Sequence, residues 1–144
     1  MTHVVFYGKP GCLTNVRQKG LLRELGHTVI ECDLLREPWT VERLSAFMTG
    51  LPVAHWFNAS SPRVKSGEVE PSRLHAKSAL RLLIDDPLLI RRPLIETPYG
   101  LSVGFFGDEV LRRLGVDVAL NADLTQCAQL GVDEPSCAAQ GMPA

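Results

Sequence analysis

The stretch HVVFYGKPGCLTN, residues 3–15, runs a β-branched and aromatic segment into Gly8, Pro10 and Gly11, then sets Cys12 where a helix is expected to begin. A thiol there faces the unpaired N–H groups and the positive end of the helix dipole, which favour the nucleophilic thiolate. Lys9, three residues earlier, adds a positive charge. The competing reading is a buried cysteine serving as a small apolar side chain, and the Gly-Pro-Gly setting argues against it. Cys32 ends a second apolar run and is expected in the core. Cys127 and Cys137, in CAQLGVDEPSC, have nine residues between them. That spacing suits a disulfide loop but matches no metal motif, and the two read as unpaired tail thiols. His3, His27, His55 and His75 are scattered without metal spacing, so no bound metal is expected. Asp85-Asp86 before Pro87 reads as a helix end and the cap of the next turn. Gly8 and Gly11 lack the spacing and the Lys-Ser/Thr ending of a phosphate loop.

These side chains need elements to position them. HVVFY and HTVIEC, residues 27–32, have strand composition. Between them, CLTNVRQKGLLRELG carries Val16, Leu21, Leu22 and Leu25 at helical spacing, with Gly26 as the stop. The result is a β-α-β unit, which places Cys12 at the carboxyl edge of a parallel pair, where α/β sites lie. TVERLSAFMTG predicts a helix capped at Thr40, and PSRLHAKSALRLLIDDP one that begins near Ser72 and ends before Pro87. The segment between them is loop-like, with an aromatic island at His55-Trp56-Phe57 that packs on the core or faces a partner. Two apolar runs flank TPYG, so residues 94–105 predict a β-hairpin, and DEVLRRLG a last helix ending near Gly115.

The order β-α-β, inserted helices, β-β hairpin and α resembles a thioredoxin-like mixed sheet of the α/β class. In that type of fold the residue before the third strand is commonly a cis-proline packed on the active thiol, and Pro93 of IRRP occupies the matching position. Arg92 would then lie beside Cys12, where a guanidinium can hold a thiolate or an oxyanion. Arg91 reads as a solvated neighbour. The core domain is expected over residues 1–116, with a C-terminal extension over 117–144, rich in Gly, Pro and small polar residues and partly flexible.

The composition, 45% hydrophobic and 22% charged, fits one globular domain. With 15 basic and 16 acidic residues there is no electrostatic footprint for nucleic acid or an anionic membrane. No apolar run approaches roughly 18 residues and no leader precedes HVVFYG, so a cytoplasmic protein is expected. Four cysteines are too few for a disulfide scaffold, and any disulfide is expected to be transient.

Taken together, FYGKPGCLTN, LLIRRPLIETPYG and GFFGDEVLRRL resemble the glutaredoxin-linked arsenate reductases (ArsC) and their Spx-like relatives, over nearly all of residues 3–115. Within that likeness, PVAHWFNASSPRVKSGEVEP is similar to the branch called nitrogenase-associated proteins. The resemblance implies a cysteine at position 12 that attacks arsenate and an arginine, here Arg92, before the cis-proline. It also implies glutathione as co-substrate, with no resident cofactor, and glutaredoxin or a nitrogenase-related protein as partner. Lys9, Asn15 and Pro93 fall in the substrate-binding positions. Two further arginines of the family are missing: Asn58 or a neighbour stands in one place, Phe105 and Phe106 in the other. Replacing two charge-assisted contacts forfeits about 1.5–3 kcal/mol each, which disfavours arsenate reduction unless Arg63 or Lys65 compensates. Several Spx-like relatives carry a second cysteine separated from the first by two residues; here that position is Asn15, so the local redox switch is absent. The resemblance thus leaves two readings, a thiol-redox enzyme and a non-catalytic adaptor in nitrogen fixation.

Overall fold

The computed structural model describes residues 2–105 and 108–117. Strand β1 (His3–Gly8), helix α1 (Leu13–Glu24) and strand β2 (Thr28–Asp33) form the expected unit, with β1 and β2 parallel and Gly8 opposite Asp33. Helices α2 (Val41–Met48), α3 (Pro62–Lys65) and α4 (Ala76–Asp85) follow, then the antiparallel strands β3 (Leu94–Thr97) and β4 (Gly100–Val103) and helix α5 (Glu109–Leu114). The sheet order is β2-β1-β3-β4, so β1 is central and its end is flanked by the start of β3.

Alternation along β1 divides the core between the two faces of the sheet. Val4 and Phe6 pack with Leu22, Ile95, Phe105, Leu111 and Leu114 on one side. Tyr7 packs on the other with Leu34, Trp39, Leu44, Phe47, Leu83 and Leu94. Both faces are covered, which is why HVVFY reads as a nearly continuous apolar run. The cap at Thr40 is present, its side chain accepting from the Arg43 N–H at 3.1 Å. The hairpin is held at its tip by Thr97, whose Oγ1 accepts from the Tyr99 N–H and donates to the Gly100 carbonyl. Asp108 caps α5 by accepting from the Leu111 N–H and also takes the buried Ser102 hydroxyl at 2.6 Å.

Three expectations are corrected. The buried face of α1 is not the Val16, Leu21, Leu22 and Leu25 stripe: Val16 is 53% and Leu25 40% exposed. Of that stripe Leu22 is fully buried, and Thr14, Asn15 and Gln18 point inward with it. Burying Asn15 and Gln18 is tolerable because their amides bond each other at 2.9 Å. The fourth helix begins at Ala76, not near Ser72, because Leu74 adopts extended backbone and packs against the core. Arg91 is not simply solvated: it is half-buried, and its Nη1 donates to the His55 carbonyl at 3.1 Å. The aromatic island belongs to the core, with Trp56 and Phe57 buried and Phe57 bridged to Ile90. Cys32 is half-buried against the Tyr7 side of the sheet. Cys127 and Cys137, and the 117–144 extension beyond Asp117, lie outside the described residues.

Candidate functional site

The turn from β1 into α1 is built from backbone bonds and one side-chain amide. Cys12 is the residue before the first turn of α1, with extended backbone; its N–H donates to the Lys9 carbonyl at 3.2 Å and its carbonyl accepts from the Val16 N–H. Asn15 reaches back from α1, and its Oδ1 accepts from the Lys9 N–H at 2.9 Å. Gly8 makes room for that reach: a Cβ there would stand 2.9 Å from Asn15 Oδ1 and 2.8 Å from the Phe6 ring.

Cys12 is only 1% exposed, yet it belongs to neither apolar cluster. Its surroundings are cationic. The peptide bond between Arg92 and Pro93 is cis, and Pro93 is buried at the entry to β3, where its carbonyl accepts from the Gly104 N–H. Because β3 pairs with the end of β1, with Leu94 opposite Tyr7, Arg92 is carried to the β1–α1 turn. Its guanidinium lies close enough to Cys12 to interact with it electrostatically, and its Nε and Nη1 atoms are buried. Burial pushes Arg92 down from its ordinary value while the Cys12 sulfur pulls it back up; a guanidinium stays charged throughout. The Lys9 ammonium feels the same site: desolvation lowers it most, Arg92 lowers it further and Cys12 raises it. Cys12 Sγ takes no bond from the first-turn N–H groups of α1. The charged side chains coupled to it are those of Arg92 and Lys9.

The sequence-predicted set therefore separates. Cys12, Arg92, Lys9 and Pro93 converge on one turn. Asn15 is beside them, but both ends of its amide are engaged, Oδ1 with Lys9 and Nδ2 with Gln18. Arg63 stands elsewhere, bound to Glu68 at 3.0 Å and Asp86 at 2.8 Å, and Lys65 is exposed. Asn58 forms a local turn in which its Oδ1 accepts from the Ser60 N–H and hydroxyl. Phe105 is core, and Phe106 lies outside the described residues. Gln18 and Gly8 were missed as site residues; the visible signal was a glutamine one turn beyond Asn15, on the side of α1 that carries Cys12 inward. Among the described residues no group of three His, Cys, Asp or Glu is placed to hold a metal, and no helix is long and apolar enough to cross a membrane.

The chain is 42% identical over 127 residues to the 15.7 kDa protein of the draG 3′ region of Rhodospirillum rubrum, covering 88% of this chain and 89% of that one. It is 27% identical to the global transcriptional regulator Spx of Enterococcus faecalis, over 80% of this chain and 89% of the other. Among solved structures, an ArsC family related protein from Bacteroides fragilis superposes with a TM-score of 0.67 at 28% identity, over 78% of this chain and 98% of that one. An arsenate reductase from Vibrio cholerae shares the fold with a TM-score of 0.60 at 22% identity, over 72% of this chain and 90% of the other. Residues 7–113 match the ArsC family, and the chain, with its thioredoxin-like mixed sheet, belongs to that family.

Proposed function

We propose that the protein is a thiol-redox protein in which Cys12 is the nucleophile, Arg92 its electrostatic partner and a glutathione-type disulfide the co-substrate. The observation that carries this reading is that two elements far apart in the chain bring the Arg92 guanidinium into electrostatic range of Cys12. In the step proposed, the Cys12 thiolate attacks one sulfur of glutathione disulfide. The old S–S bond breaks, a Cys12–glutathione mixed disulfide forms, and glutathione leaves as a thiolate that takes up a proton from water. The positive charges of Lys9 and Arg92 favour the approach of the anionic tripeptide. A glutaredoxin would then return Cys12 to the thiol.

The same geometry weighs against efficient arsenate turnover. The positions where the family resemblance implies two more arginines hold a self-bonded Asn58 turn and the core residue Phe105. Arg63 is committed to two carboxylates. That deficit, together with the Spx relative, supports a second reading as a binding adaptor of a nitrogenase-related protein. The nitrogen-fixation setting rests on the likeness of residues 52–71 to the nitrogenase-associated branch. Incubation with glutathione disulfide followed by mass spectrometry separates the two. The redox reading expects a glutathionyl adduct on Cys12 that is lost in Cys12→Ser and reversed by glutaredoxin. A folded protein that gives no adduct at Cys12 refutes it and leaves the adaptor reading, for which Cys12→Ser retains partner binding.

A further inference from the structure

We propose that Asn15 is the positioning residue of the thiol site: its buried amide, braced by Gln18, grips Lys9 and through it fixes Cys12 against Arg92. This inference rests on the reading of Cys12 as the reactive group. Asn15 is 3% and Gln18 2% exposed, so neither amide is directed at solvent. The chain of contacts is short. Gln18 Oε1 accepts from Asn15 Nδ2, Asn15 Oδ1 accepts from the Lys9 N–H, and the Lys9 carbonyl accepts from the Cys12 N–H. Lys9 is thereby held on both of its peptide groups.

The rest of the turn has little to hold it. Pro10 and Gly11 are exposed, Pro10 has no N–H to donate, and Gly11 sits at φ +83° with nothing within 4 Å of where a Cβ would be. Packing therefore does not define residues 10 and 11, and the amide relay holds the two ends of the turn at Lys9 and Cys12. Gly8 belongs to the same device, since any side chain there would collide with Asn15 Oδ1. The relay also accounts for the polar inner face of α1 near its start, where an apolar stripe would supply burial but no acceptor for the Lys9 N–H.

The test compares the labelling rates of Cys12 by iodoacetate and iodoacetamide in the full chain, each adduct assigned by mass spectrometry. A change in access alters both rates alike, whereas the ratio of the two reports how well Lys9 and Arg92 are registered on the sulfur. Asn15→Ala and Gly8→Ala are expected to lower the iodoacetate-to-iodoacetamide ratio by about tenfold, the scale of one nearby charge, toward that of Arg92→Met. A purely structural role lowers the melting temperature and leaves the ratio at its parent value, which would overturn the proposal. Should Asn15→Ala not fold, Gln18→Ala keeps the bond to Lys9 and removes its brace, and an unchanged ratio there also overturns it. If Arg92→Met itself leaves the ratio unchanged, the reading of the Cys12 site fails. If Arg92→Met lowers it and the Asn15 and Gly8 variants do not, only the positioning role fails.

Discussion

Replacing Arg92 by Met keeps most of the side-chain stem and removes the guanidinium that faces Cys12. Two effects follow with opposite sign. The sulfur loses the positive group beside it, a charge-assisted contact worth about 1.5–3 kcal/mol, which corresponds to attack on an anionic reagent slower by about tenfold or more. Lys9 remains near the sulfur and retains part of the positive field, so the lower end, about tenfold, is expected. The fold, by contrast, is relieved of a buried cation, whose desolvation is the largest cause of the Arg92 shift. Stability in urea is therefore expected to hold or rise. The assay is the rate of Cys12 labelling by the anionic iodoacetate beside that by the neutral iodoacetamide, read with urea unfolding. The variant should be slower by about tenfold toward iodoacetate at pH 7, with a smaller change toward iodoacetamide. A variant as fast as the parent toward iodoacetate, or slower by the same factor toward both reagents, would refute the electrostatic role of Arg92.

Three further outcomes follow from the same structure. Lys9→Gln should raise stability at neutral pH, because Lys9 is held below its ordinary value by desolvation and by Arg92, and it should also slow reaction with iodoacetate; urea unfolding that shows a loss of stability would contradict this. Tyr7 and Cys32 are both raised in the folded state, chiefly by burial. Their contribution is thus complete below their unfolded values, about 8.5 for the thiol and 10 for the phenol, and is lost as pH rises through the folded ones. Thermal melts should show an alkaline decline that is shallower in Tyr7→Phe than in the parent. Asp108→Ala removes the cap of α5 and strands the buried Ser102 hydroxyl, costing about 2–4 kcal/mol from the cap and the unpaired hydroxyl together. A loss under about 0.5 kcal/mol in urea unfolding would show that water replaces both contacts.

Much of this protein was legible in its sequence because the informative signals are local. The β-branched run of β1, the cap at Thr40, the Pro-Tyr-Gly tip of the hairpin and the glycine stop at Gly115 each bias the backbone within a few residues. The order of those elements fixes a mixed sheet with Cys12 at its edge. The choice of Cys12, Lys9, Arg92 and Pro93 followed from that order and from the family resemblance. What the sequence could not settle is which face of α1 turns inward, because its apolar residues compete with a polar set whose value exists only once Lys9 offers an N–H and Gly8 leaves space. It could not place the start of α4 either, since burial of Leu74 against the core overrides the helical preference of residues 72–75. The fates of Arg63 and Arg91 were likewise decided at a distance, one by the carboxylates of Glu68 and Asp86, the other by the carbonyl of His55. Local propensity determines the elements; the polar contacts that set a side chain's availability for chemistry are made across the fold and are fixed only when the elements pack.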